Sequence, residues 1–249
     1  MGTPPVTPPV TSVVAAVTPA ASPGSKVSLT DLLQYIVINP IDSKQIFDCL
    51  CPTFNNTEYS QKVAEIEAIN SAPKPADKTK AQWEGEKNAA KGHLFEQLMS
   101  VVLNAVEPFS TWSNVQTTTS EIDILVEIGP SGTWIPALRE WGTHFLCECK
   151  FSHDYVSIQW VTNLNTAMQT HNATVGVLFA TKGVSGRGNG ARAKRLIEDL
   201  SIMTPGRFIL CVDSTDLKSV AQGQNFLWLI SHRYMEVKAN TGKLRLLQS

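Results

Sequence analysis

The sequence predicts an α/β fold in which a central sheet is flanked by helices. Three observations carry that expectation. Strand-like apolar runs alternate with stretches of helical spacing along the later chain, which implies crossovers and parallel pairing of the later strands. With 249 residues, 43% of them apolar, the chain is long enough to fill one core and carry an appendage. No self-similarity recurs at a period of about 20 to 50 residues, which argues against a solenoid or propeller.

The first 25 residues hold six of the 14 prolines among Thr, Val, Ala and Ser, with no charge before Lys26. Such a composition buries too little to offset the entropy of ordering, so residues 1–27 are expected to be a disordered tail. From Ser28, the spacing of Leu29, Leu32, Leu33 and Ile36 predicts a helix capped by Ser28 or Thr30. Val63, Ile66 and Ile69 mark a second helix that ends before Pro73-Lys-Pro75. Residues 28–84 therefore read as a helical accessory region, able to bind a partner protein or DNA, or simply to brace the larger domain after it.

Residues 85–249 form the main predicted domain. A long helix covers Trp83 to Val106, with Leu94, Phe95, Leu98, Val101 and Val102 as its buried stripe and Pro108 as its stop. Strands are expected at 121–128, 144–150, 175–180 and 207–212, with helices over 157–171 and 191–201. Apolar runs such as Val13–Val17 fall far short of the roughly 20 residues a bilayer requires, and no basic region precedes Lys26 as a secretory leader would need. Five cysteines, an odd number, do not suit a secreted disulfide framework. The expectation is a cytoplasmic protein with no membrane partner.

The chemistry concentrates at Phe145-Leu-Cys-Glu-Cys-Lys150. On a strand, Cys147 and Cys149 point one way and Glu148 and Lys150 the other. A carboxylate and an ammonium on a strand otherwise fit for burial need partners, because an unpaired buried charge is costly. Asp123 is a lone acid among Ile122, Ile124, Leu125 and Val126, and the long helix brings Glu96 into play. Three clustered carboxylates repel one another unless a cation joins them, and an all-oxygen set suits Mg²⁺ or Mn²⁺. The competing reading makes Glu96 a solvated helix side chain, Asp123 a strand-end cap, and Glu148 with Lys150 an exposed ladder.

An acid on a first helix, an Asp on an apolar strand and Glu-x-Lys on the next strand resemble the PD-(D/E)xK nuclease superfamily, in particular the Mrr-like restriction endonucleases. The resemblance spans about Lys91 to Val220. It rests on Lys91-Gly-His-Leu-Phe-Glu96, Thr118-Thr-Ser-Glu-Ile-Asp-Ile-Leu125, Cys147-Glu-Cys-Lys150 and Val175-Gly-Val-Leu-Phe-Ala-Thr-Lys-Gly-Val-Ser-Gly186, with Ile122 standing where the nominal motif has Pro. It implies a restriction-endonuclease-like core with a mixed central sheet. It also implies Glu96, Asp123 and Glu148 as ligands of Mg²⁺ or Mn²⁺, Lys150 as catalytic lysine, and an auxiliary Gln, either Gln169 or, preferred here, Gln159. The implied activity is metal-dependent endonucleolytic hydrolysis of DNA in defence against foreign DNA, with homodimerisation suited to cutting two strands. A structure-specific nuclease of the Holliday-junction resolvase kind is an alternative within the same chemistry. A catalytically silent nuclease fold that binds nucleic acid or a protein partner is another, from a different functional class.

The net charge of −1 conceals an asymmetry. Residues 1–181 carry 10 Lys/Arg against 17 Asp/Glu, whereas residues 182–249 carry 11 against five. Within the basic part, the Gly-rich stretch from Lys182 to Arg195 leaves a strand and enters a helix. Lys182, Arg187, Arg192, Lys194 and Arg195 are accordingly expected to contact a nucleic-acid backbone. A flexible connector leading into a solvated basic helix is the bland reading of the same residues. No Gly-Lys-Ser/Thr closes the loop and no G-x-S-x-G occurs, which disfavours nucleotide hydrolysis and serine-nucleophile chemistry. The Cys-x-Cys pairs lack zinc spacing and read as buried thiols. Trp160, Trp228 and Tyr234 read as core or seam rather than as base-stacking groups.

Overall fold

The computed structural model describes residues 43–51, 56–117, 121–184, 188–204 and 206–247. The expected tail and the helix behind Ser28 or Thr30 lie outside these residues. Among the described residues, helix α1 (Ser43–Leu50) and helix α2 (Asn56–Ser71) come first, followed by α3 (Lys80–Asn104). Thr79 starts α3 through a capping box: its side chain accepts from the Gln82 N–H while the Gln82 side chain accepts from the Thr79 N–H. Lys91, Phe95, Leu98, Met99, Val102 and Leu103 are its buried residues, and the helix ends before Pro108. Packing of α2 along α3, and the Asn225 amide that donates to the carbonyls of Phe47 (2.8 Å) and Cys51 (3.1 Å), tie the early helices to the rest.

Five strands form one sheet in the order β1-β2-β3-β4-β5: β1 (Phe109–Gln116), β2 (Glu121–Ile128), β3 (His144–Lys150), β4 (Val175–Ala180) and β5 (Phe208–Val212). The first three pair antiparallel and the last three parallel, so the sheet is mixed. Helix α5 (Ile158–Thr170) crosses from β3 to β4 and helix α6 (Gly188–Met203) from β4 to β5. A continuous apolar run such as Val-Gly-Val-Leu-Phe-Ala is what a strand covered on both faces requires, and every residue of β4 is buried. At Gly176 a Cβ would lie 2.6 Å from Met168 Sδ, so the glycine lets α5 approach the sheet.

On one face, Leu146, Leu178 and Ile209 pack with Val161, Leu164 and Met168 of α5 and Ala193 and Ile197 of α6. On the opposite face, the ring of Phe145 meets Phe109 (5.2 Å) and Trp141 (5.3 Å) edge-on, and Phe208 meets Tyr234 (5.2 Å). Tyr234 belongs to helix α8 (Phe226–Leu247), which comes after α7 (Ser214–Ala221). Tyr234 is buried and Trp160 packs against the first cluster, in keeping with their expected core roles.

The long link between Glu127 and His144 is ordered by a 3₁₀ turn (Pro130–Trp134) and the short helix α4 (Pro136–Trp141), each started by a proline. Ile135, Leu138 and Trp141 anchor it in the core. Among the described residues no helix is long and apolar enough to cross a membrane.

Candidate active site

Strands β2 and β3 part company where the polar residues begin. Their ladder runs from Glu127↔His144 to Ile124↔Cys147, whereas β3 remains paired with β4 as far as Lys150↔Ala180. Separation would leave the Cys149 N–H without a strand partner. The Asp123 carboxylate takes that role, Oδ2 accepting from the Cys149 N–H at 2.7 Å.

In the fork so formed, Lys150 Nζ lies 2.7 Å from Glu148 Oε1 and 3.6 Å from Asp123 Oδ2. The side chains of Asp123 and Glu148 are 15% and 16% exposed and that of Lys150 30%, so the cluster is largely desolvated yet reachable from solvent. Cys147 and Cys149 project to the other face and are buried, as the alternation requires. Burial pushes both thiols well above the usual cysteine range, which makes them poor zinc ligands and poor nucleophiles.

Glu96 reaches the fork from α3. Phe151, next after Lys150, fixes the helix against the strand end: its ring packs edge-on against Phe95 (5.8 Å) and lies 5.4 Å beneath the Lys91 ammonium. Lys91 and Phe95 stand four residues apart, on one helix face, which is the sequence signal for this clamp. His93 Nδ1 sits 3.6 Å from Glu96 Oε2 on the solvent side.

Desolvation, then the charge of Asp123, raises the Glu96 carboxyl above its ordinary value, with His93 and Lys150 pulling the other way. Desolvation and then Asp123 also raise Glu148, against the lowering influence of Lys150. For Lys150, burial opposes the ammonium, but Glu148 and then Asp123 outweigh it and hold the pKa above the usual lysine value. Glu96, Asp123, Glu148 and Lys150 thus feel one another. Among the described residues, however, no three His, Cys, Asp or Glu side chains stand in a geometry ready to hold a metal ion. Lys150 is the counter-charge between Asp123 and Glu148.

The remaining expected site residues distribute unevenly. Gln159 is exposed on the first turn of α5 and donates to Asn163 Oδ1 (2.6 Å) rather than to the cluster. Lys182 is exposed two residues beyond Ala180, the register partner of Lys150, so it leaves the same end of the sheet as the cluster. Arg187 lies outside the described residues. Arg192, Lys194 and Arg195 are exposed on α6. Lys194 and Arg195 face their own helix's acids, Glu198 (4.0 Å) and Asp199 (3.9 Å), in surface pairs of little energetic weight.

No family model matches the chain, and no curated protein matches it.

Proposed function

We propose that the chain is a metal-dependent nuclease with a restriction-endonuclease-like core, hydrolysing phosphodiester bonds of DNA with Mg²⁺ or Mn²⁺. The observation that carries this reading is the fork itself. Lys150 is held between Asp123 and Glu148 where β2 and β3 separate, with Glu96 near enough to raise and be raised.

The donor set suits a hard divalent cation in its chemistry: three carboxylates, all oxygen, two of them pushed up by burial and by a neighbouring charge that a cation would relieve. Glu96, Asp123 and Glu148 would hold it, competing with Lys150 for the oxygens of Asp123 and Glu148. When bound, such an ion supplies polarisation of the phosphoryl oxygen and acidification of water. Lys150, held between Asp123 and Glu148, would donate hydrogen bonds to a phosphate oxygen as negative charge grows there. Asp123 keeps β3 in place through the Cys149 N–H, and the Phe151 clamp keeps Glu96 at the fork. Lys182 lies beyond the same sheet end, where it meets the phosphate backbone.

Purified protein is incubated with supercoiled plasmid, linear duplex and single-stranded RNA, each with Mg²⁺, Mn²⁺ or EDTA. Cleavage of DNA that EDTA stops and that Lys150→Ala slows by on the order of 10²-fold supports the reading. Absence of cleavage with every substrate and metal sinks it. The lack of a ready-made metal geometry among the described residues favours, as the second reading, a silent nuclease fold that binds nucleic acid. Nucleic-acid binding by gel shift without cleavage would single out that alternative.

A further inference from the structure

The edge strand β1 places a large aromatic side chain beside the fork. Trp112 pairs with Leu125, and Leu125 with Leu146. Directly opposed residues share a face, and a strand returns to the same face every second residue. Trp112 therefore shares a face with Asp123, Glu148 and Lys150. From strand spacing and rise, its Cα is about 8 Å from that of Asp123.

Helices α5 and α6 cover β3, β4 and β5 on this face, whereas among the described residues Val115 is the part of β1 that packs against the same cluster. Trp112, opposite Leu125 on the ladder, is 56% exposed, so much of its indole is open to a ligand. The rest of β1 carries no charge; on Trp112's face it offers Ser110, Asn114 and Gln116 as exposed hydrogen-bonding neighbours, whereas Ser113 faces the other way and bonds Ser100 of α3 (3.0 Å). Glu121 and Glu127 lie on the same face at either end of β2. A phosphate backbone gains nothing there. A nucleobase does, because every base has a flat π-face that stacks on an indole.

Across the sheet the order is then Trp112 on β1, the carboxylate–lysine cluster between β2 and β3, and Lys182 beyond β4. We infer that Trp112 is a stacking platform for an unpaired nucleobase next to the phosphate held at the fork, so that the substrate is single-stranded or locally unpaired DNA. This rests on the nuclease reading of the same site and adds the class of substrate.

The test measures binding of a labelled single-stranded oligodeoxynucleotide and of a blunt duplex by fluorescence anisotropy, in EDTA and again with Mg²⁺ in a Lys150→Ala background. Wild type is compared with Trp112→Phe, Trp112→Leu and Trp112→Ala. Trp112→Phe should retain single-strand binding, Trp112→Leu and Trp112→Ala should weaken it on the order of 10-fold, and duplex binding should not change. Leu binding as well as Phe would overturn the stacking role. So would a parallel loss on duplex, or a self-associating wild type that Trp112→Ala renders monomeric. If Lys150-dependent cleavage persists while the Trp112 series is flat, only this inference falls; if wild type neither binds nor cuts nucleic acid, the nuclease reading falls and takes it along.

Discussion

Asp123 accepts the Cys149 N–H at 2.7 Å immediately beyond the last paired rung of β2 and β3, so a side chain replaces the backbone partner that the opening fork removes. The same carboxylate oxygen is the one 3.6 Å from Lys150 Nζ. One atom thus serves both the sheet and the site.

Removing that acceptor should cost stability as well as any activity. Asp123→Ala leaves a buried N–H unsatisfied and is expected to lower stability by about 1–3 kcal/mol in urea unfolding. Asp123→Asn keeps an acceptor oxygen and should recover most of that loss without restoring the charge. Equal stability of the Ala and Asn variants would show that the hydrogen bond carries nothing.

The raised carboxyls make the site a source of pH dependence. A carboxyl whose folded pKa lies above its unfolded value favours folding fully below the unfolded value, and that contribution disappears as pH rises through the folded pKa. Glu96→Gln should therefore raise the metal-free Tm at pH 7.5, on the order of 2 °C, and the advantage should shrink toward pH 4. An unchanged difference across that range would contradict the shift.

A divalent cation and Lys150 are expected to compete for the same oxygens. Lys150→Ala leaves Asp123 and Glu148 without their counter-charge, so its Tm should fall at neutral pH and rise more steeply than wild type's on titration with Mg²⁺ or Mn²⁺. Parallel titration curves for the two proteins would speak against a shared site.

The close seat of α5 on β4 gives a packing prediction. In Gly176→Ala the new methyl would meet Met168 Sδ at 2.6 Å and Leu164 at 3.1 Å, an overpacking expected to cost about 1–3 kcal/mol. Met168→Ala in the same chain should return part of the loss. A single variant as stable as wild type would mean that α5 shifts freely, which its buried Val161, Leu164 and Met168 argue against.

Much of the fold was legible along the chain because periodicity reports local burial. Phe95, Leu98 and Val102 announce one face of α3, and the unbroken run of β4 announces a strand covered on both sides. The alternation in β3 separates the buried thiols from the polar pair. Strand β1 carries no periodic signal because it lies at the sheet edge, where Ser, Thr, Asn and Gln suffice and no apolar alternation is demanded. Helices α1, α4, α7 and α8 have no clear periodic signal either; such elements owe their order to docking, as Trp141 does between Phe145 and Tyr234.

By itself, then, the sequence determined the α/β class, the parallel later strands, the long helix α3, and the face on which Glu148 and Lys150 stand. Those features come from residue spacing, which is a local property. Only the tertiary structure decided that β2 and β3 separate after Ile124↔Cys147, that Asp123 bonds the Cys149 N–H, and that Phe151 clamps the helix bearing Glu96. It also decided that Gln159 turns to Asn163 and that Trp112 shares the site's face. The physical reason is that register, strand divergence and side-chain pairing join residues far apart in the chain, and their free energies depend on neighbours that no local pattern encodes.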